Sequence, residues 1–253
     1  MLPDFIGYLA ETKANIRTDL YDRAVPLLSD FGDGRLEVMD RHGVDYVVLS
    51  LSGPGVQIEA DTARATKLAR RCNDRLALET QKRPDRYGGF AHLALQDPSA
   101  AADELARHGL TLDIEMRPGD FPALLQLAGR LPDLRVAIDH LARPAFQLAP
   151  TDEWRYGMES AARLPNVFCK ISGLLTEVEL PWRAAAIRPF VQHALATFGP
   201  RRLMFGSEWP VRLPDVTWKE SLAAFTQSIG ANSIEVREQL LGGTAHDFYR
   251  RVC

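Results

Sequence analysis

An α/β fold of the (β/α)-barrel class is what this sequence predicts, and three observations lead there. Short apolar runs alternate with longer stretches of helical period, the mark of repeated βαβ units and a parallel sheet. Nearly every apolar run is followed by such a stretch, and no Pro/Gly/Ser-rich linker interrupts the series. One domain over residues 1–253 is therefore the simplest organisation. At 46% hydrophobic residues, a chain of 253 can bury one large core.

Six strands emerge in order: 46–51 (YVVLSL), 87–95 (YGGFAHLAL), 110–116 (LTLDIEM), 135–140 (RVAIDH), 167–172 (VFCKIS) and 202–206 (RLMFG). Residues 58–83 carry Ala63, Leu68, Ala69, Leu76 and Leu78 at helical spacing and end before Pro84, where the residue before proline disfavours helix. Further helices are expected over 98–107, 121–130, 153–163, 185–198 and 217–229, and 233–241 is expected to stop at Gly242. A complete barrel has eight strands, so the pattern is short of two.

The bulk properties narrow the partners. A formal charge of −3, a pI near 6.1 and the lack of a basic tract give no electrostatic case for nucleic acid. No stretch of about 18 apolar residues could span a bilayer, and the first residues lack the apolar centre of a signal peptide. A small-molecule substrate and a cytoplasmic location are the expectations. Cys72, Cys169 and Cys253 are too few and too far apart for a disulfide framework or a structural zinc site, and are expected to be reduced thiols.

In parallel α/β folds ligands sit beyond the carboxyl ends of the strands, so polar residues there are weighed first. VAIDHLARP delivers Asp139, His140 and Arg143 where a strand gives way to a loop. An imidazole at that point can bind a metal, shuttle a proton or polarise a carbonyl; it can equally be a strand-end histidine bonded to nearby backbone. RLMFGSEWPV places Glu208 and Trp209 just past another strand. A carboxylate there can act as general base or metal ligand, with Trp209 lowering the local dielectric and lining a substrate site. The competing role is a capping or salt-bridged loop residue. NVFCKISGL sets Lys170 and Ser172 into an apolar strand as candidate substrate contacts; the alternative is a lysine that packs its stem and extends its head to water. No P-loop, GxGxxG or GxSxG pattern occurs. His92 reads as a satisfied strand histidine, and His42, His108, His193 and His246 as solvated helix residues.

At these motifs the sequence resembles the amidohydrolase-related metal-dependent hydrolases. GLTLDIEMRP, PDLRVAIDHLARP, LPNVFCKISGLLTE, FGPRRLMFGSEWPV and GGTAHDFY resemble the L-fuconolactonase and 2-pyrone-4,6-dicarboxylate lactonase branch, five blocks in family order. GRLEVMDRHGVDYVVLSLSGPGVQ, ARRCNDRLA and RPDRYGGFAHLALQDPSAA instead resemble aromatic-acid decarboxylases of the γ-resorcylate type. The chain reads as a mosaic of the two.

The resemblance implies a (β/α)8 TIM-type barrel with His140 as the sixth-strand histidine and Glu208 as the eighth-strand carboxylate. It implies that both could ligate one divalent ion such as Zn2+, in families where some members use a metal and others none. Two departures stand out. No His-x-His or Glu-x-His precedes Tyr46, and Glu208 takes the place of the aspartate in the usual GSDWP block. Strands one and four are the missing pair, since the segment at 106–110 is too short to hold a strand. The expected activity is hydrolysis of a lactone or related carboxylated molecule, with Glu208 activating water, His140 polarising the carbonyl, and Arg143, Lys170, Ser172 and Trp209 contacting substrate. The alternatives are a non-oxidative aromatic-acid decarboxylase and a degenerate barrel with little catalysis. An incomplete barrel leaves strand edges open, so a homo-oligomer is also expected.

Overall fold

The computed structural model of the chain describes residues 25–51, 55–97, 101, 111–146, 148–176, 178, 181–210 and 216–249. They fall into two compact units that divide between residues 104 and 105.

The first unit holds helix α1 (Asp33–Arg41), strand β1 (Val47–Leu49), a 3-10 turn (Gly55–Ile58), helix α2 (Thr62–Lys82) and strand β2 (Tyr87–Gly89). The strands pair in parallel, Val47 opposite Tyr87. Helix α2 is the one expected over 58–83. The Asp61 side chain accepts from the Arg64 amide at 2.7 Å and sets its start, and Pro84 follows its end. Ala65, Ala69 and Cys72 bury its inner stripe. Helix α1 has no counterpart in the sequence expectations, because it shows few apolar positions and its Gly32 N-cap offers no side chain. Strand β2 is shorter than the apolar run suggests. His92 lies beyond it, where its Nε2 accepts from the Val56 amide at 3.2 Å and Asn73 holds its backbone on both sides.

The second unit carries β3 (Leu112–Ile114), α3 (Phe121–Arg130), β4 (Val136–Ile138), α4 (Asp152–Ala162), β5 (Val167–Ile171), α5 (Ala184–Phe198), β6 (Leu203–Phe205) and α6 (Trp218–Ile229). Its four strands form one parallel sheet in the order β3-β4-β5-β6. Leu112 pairs with Val136, Val136 with Val167 and Cys169 with Leu203. Strand, helix, strand in strict succession is what the period changes in the sequence require. All six expected strands occur among the described residues. The expected strand gap at 106–110 falls outside them, as does most of the helix expected over 98–107; pairing divides into two sheets between β2 and β3.

Side-chain alternation gives the four-stranded sheet two different faces. Val136, Ile138, Val167, Cys169 and Ile171 are fully buried on the face covered by helices. The opposite face begins with an apolar tier in which Ala137 and Met204 pack with Phe168, Phe248 and Tyr249. Phe248 and Tyr249 come from the C-terminal segment, where the structure corrects one expectation: Gly242 does not stop a helix. Helix α7 (Ile234–Glu238) runs through a π-helical turn (Gln239–Gly243) into α8 (Thr244–Tyr249). His193 is corrected as well. It stacks 5.2 Å from the Trp154 ring and is largely enclosed, and burial lowers its pKa. Among the described residues no helix is long and apolar enough to cross a membrane. Cys72 and Cys169 are buried free thiols, and burial pushes both pKa values up.

Asn166, at the entrance to β5, ties this sheet to the end of α3. Its amide nitrogen donates to the carbonyls of Ala128, Leu131 and Leu134 at 3.1, 3.1 and 2.9 Å. Replacing it leaves buried carbonyls without a donor, a loss of about 1–3 kcal/mol. Asn166→Ala is expected to lower the unfolding free energy by about that amount in urea denaturation.

Candidate active site

On the face of the four-stranded sheet opposite the helices, Asp113 stands in register with Ala137 and Phe168, and Lys170 with Met204. There Asp113, Asp139 and Lys170 come together from β3, the end of β4 and β5. The Lys170 Nζ lies 2.7 Å from Asp113 Oδ1 and 2.8 Å from Asp139 Oδ1. The Tyr249 hydroxyl donates to the same Asp113 oxygen at 2.6 Å. Burial pulls the Lys170 pKa down, but the two carboxylates outweigh it and leave the pKa above the ordinary 10.5. Burial raises Asp113, and burial followed by the neighbouring Asp113 charge raises Tyr249.

Two residues beyond Asp113, Lys170 and Met204 the same parity brings up Glu115, Ser172 and Gly206, and the chain then leaves the sheet. His140, Leu141, Ala142 and Arg143 all have positive φ, at 54°, 54°, 60° and 44°, and Glu208 has 56°. Non-glycine residues rarely occupy this region. Surrounding contacts hold the β4 exit there. The Trp154 indole N–H donates to the Leu141 carbonyl at 2.7 Å, and the Trp154 ring packs edge-on against Phe190 at 5.1 Å. The result turns the His140 ring toward β5 and β6.

There the structure brings four of the expected residues together. His140 Nδ1 lies 2.8 Å from Ser172 Oγ, and the His140 amide donates to the same oxygen at 3.3 Å. His140 Nε2 faces Glu208 Oε1 at 3.5 Å, with side-chain exposures of 14% and 12%. Arg143 Nη2 is 3.7 Å from that Glu208 oxygen, while its Nε donates to Glu115 Oε1 at 2.8 Å. Crowding explains two glycines. A Cβ on Gly173, whose φ is +64°, would stand 2.9 Å from the His140 ring, and one on Gly206 would stand 2.9 Å from Ser172 Cβ.

The other two expected residues have different places. Trp209 lines a pocket beside Glu208, together with Leu174, Leu175, Thr176, Phe205 and Val216. Lys170 sits one tier deeper, engaged by two carboxylates. Three neighbours have no counterpart among the sequence expectations. Asp113 and Glu115 lie at alternate positions of a strand recognised only for its apolar residues, and their shared parity was the available signal. Thr176, which donates to Glu208 Oε2, follows the β5 exit within GLLTE and offered no spacing to find it by.

Among the described residues no group of three or more His, Cys, Asp and Glu side chains is arranged to hold a metal ion. His140 Nε2 and Glu208 Oε1 form a two-donor set, fewer than the three or four protein ligands of a tight zinc site. Their chemistry suits a divalent ion that completes its shell with other ligands.

A model of the amidohydrolase family matches residues 22–109 and 105–251. L-fucono-1,5-lactonase of Burkholderia ambifaria is 35% identical over 167 residues, 62% of this chain and 56% of that protein. Gamma-resorcylate decarboxylase of Rhodococcus jostii is 51% identical over 87 residues, 34% of this chain and 26% of that protein. The chain thus spans little more than half of the first relative and about a quarter of the second. A solved amidohydrolase from Burkholderia multivorans with bound Zn superposes with a TM-score of 0.67 over 86% of this chain and 87% of that one, at 23% identity, a likeness of fold.

The ion triad beneath the site makes a measurable demand on stability. Removing the ammonium leaves two buried carboxylates uncompensated, a cost of about 3–5 kcal/mol. Lys170→Met is expected to lose that much in urea denaturation at neutral pH. Because the folded pKa of Lys170 is raised, its contribution is complete below 10.5 and disappears only as alkaline pH passes the folded value.

Proposed function

The chain belongs to the amidohydrolase family, and from that premise we propose that it hydrolyses a lactone or related carboxylated small molecule. One observation carries the reading: His140 Nε2 and Glu208 Oε1 face each other at 3.5 Å, both largely buried, past the ends of β4 and β6. A carboxylate oxygen there accepts a proton from water as the water oxygen attacks the lactone carbonyl carbon. The imidazole N–H donates to the carbonyl oxygen as negative charge grows on it, and the Arg143 guanidinium adds to that stabilisation. The ring C–O bond then breaks. The proton held by Glu208 passes to the leaving alkoxide, and the product is the open hydroxy acid.

If a divalent ion is bound, His140 and Glu208 would hold it, and its contribution is to acidify a water toward neutral pH. The (β/α)8 barrel belongs to the same proposal. Four successive parallel strands with intervening helices support it, and in such a barrel ligands sit at the strand ends, which is where His140 and Glu208 lie. Arg143 and Trp209 are the substrate contacts this reading keeps. Lys170 serves instead to neutralise the tier below.

A second reading, decarboxylation of an aromatic acid, is favoured by the 51% identity with gamma-resorcylate decarboxylase. Rates measured with L-fucono-1,5-lactone and with gamma-resorcylate separate the two. The expected result is lactone hydrolysis that falls by about 100- to 10,000-fold in kcat in Glu208→Gln and in His140→Asn. Equal rates in wild type and Glu208→Gln overturn the mechanism, and turnover of gamma-resorcylate alone selects the second reading.

A further inference from the structure

We propose that Thr176 is a positioning residue for Glu208, and that the turn at 172–176 aligns both members of the His140–Glu208 pair; the kinetic part of this rests on the hydrolase reading. The two groups come from different strands, yet their hydroxyl partners come from one short turn. Ser172 Oγ meets His140 Nδ1 at 2.8 Å at one end, and Thr176 Oγ1 donates to Glu208 Oε2 at the other.

The turn is built to be rigid. Gly173 takes φ +64°, the Thr176 amide donates to the Gly173 carbonyl at 3.2 Å, and Leu174 and Leu175 are buried at 4% and 3% exposure. Its two hydroxyls therefore stand at a fixed separation and act as a gauge for the groups they hold. Glu208 needs such a tether. It leaves β6 with an uncommon backbone conformation, φ 56°, and its long side chain has rotamer freedom that the backbone does not remove. With Oε2 tied to Thr176, the carboxylate plane is set and Oε1 is the oxygen presented to His140 Nε2 and Arg143 Nη2 at 3.5 and 3.7 Å. Without the tether the nearby guanidinium can draw the carboxylate into a two-point pair. Oε1 would then turn from the position where a general base has to act.

Thr176 acts through Glu208 in this scheme, so its loss should slow the chemical step more than it weakens binding. Thr176→Val is expected to reduce kcat by about 10- to 100-fold with KM within about twofold, and Thr176→Ser, which keeps the hydroxyl, to recover kcat to within about threefold. Crystal structures of the same variants give a readout independent of activity: the Glu208 carboxylate should rotate away from His140 in Thr176→Val and stay in Thr176→Ser. Should Thr176→Val not fold, Thr176→Ala removes the same hydroxyl and takes its place in both measurements. An unmoved Glu208 carboxylate without the hydroxyl overturns the proposal, as does a loss of kcat that serine does not recover. A wild type that hydrolyses no lactone ends the hydrolase reading alone, and the crystallographic comparison still decides the role of Thr176.

Discussion

Two carboxylates converge on one ammonium at the face of the four-stranded sheet opposite the helices, and burying both without a cation between them would cost several kcal/mol for each. The Lys170 ammonium, within 2.8 Å of both, makes the arrangement possible. What lies on either side depends on it. The matched charges are set among the apolar side chains of that face, Asp113 beside Ala137 and Lys170 beside Met204, and Tyr249 from α8 joins the two by packing its ring among the apolar residues while its hydroxyl reaches Asp113. Asp139 immediately precedes the run of left-handed residues, so the triad also anchors the start of the turn that presents His140.

That turn holds backbone strain of a kind found at functional sites, of order 1–3 kcal/mol for each residue forced into it. Its neighbours over-determine it from several directions: the Trp154 bond to Leu141, the Ser172 oxygen on the His140 amide, and Asp139 fixed by Lys170. Glycine at 173 and 206 supplies the close approach that a side chain would prevent. The pair is thus held by packing and charge on the rigid side of the sheet, while the pocket lies on its loop side.

Much of this was legible in the sequence, and the reason is periodicity. Apolar runs such as VAI and VFCKI locate buried parallel strands, and a polar residue that interrupts or ends one must sit on the inner face or at its rim, which is how His140, Ser172 and Glu208 were found. The same rule leaves depth along the strand open. Lys170 shares parity with Ser172 but lies one step lower, and only cross-strand register, with Lys170 opposite Met204, separates a charge in the tier from a charge at the rim. Asp113 and Glu115 are hidden in the sequence because LTLDIEM presents as an apolar strand. Thr176 had no periodic signal, since its role comes from a turn whose shape depends on Gly173 and on buried leucines. The continuous C-terminal helix was missed because Gly242 follows a helix and usually stops one, whereas here Leu240 and Phe248 are fully buried on either side of it, and that packing carries the helix through a π-turn.

The hydrogen bonds of His140 define what the pair can do chemically. Ser172 Oγ already accepts from the His140 amide, which favours its own hydrogen pointing to Nδ1. In that arrangement the imidazole proton is on Nε2, facing Glu208 Oε1, the tautomer that the proposed donation to a carbonyl oxygen uses. A metal needs the Nε2 lone pair instead, so the proton must move to Nδ1 and Ser172 must accept from both the ring and the amide. A hydroxyl has two lone pairs and can do so with no heavy atom displaced. On the proposed reading, donation by the Nε2 proton and metal ligation by the Nε2 lone pair would therefore differ in which ring nitrogen of His140 carries the proton.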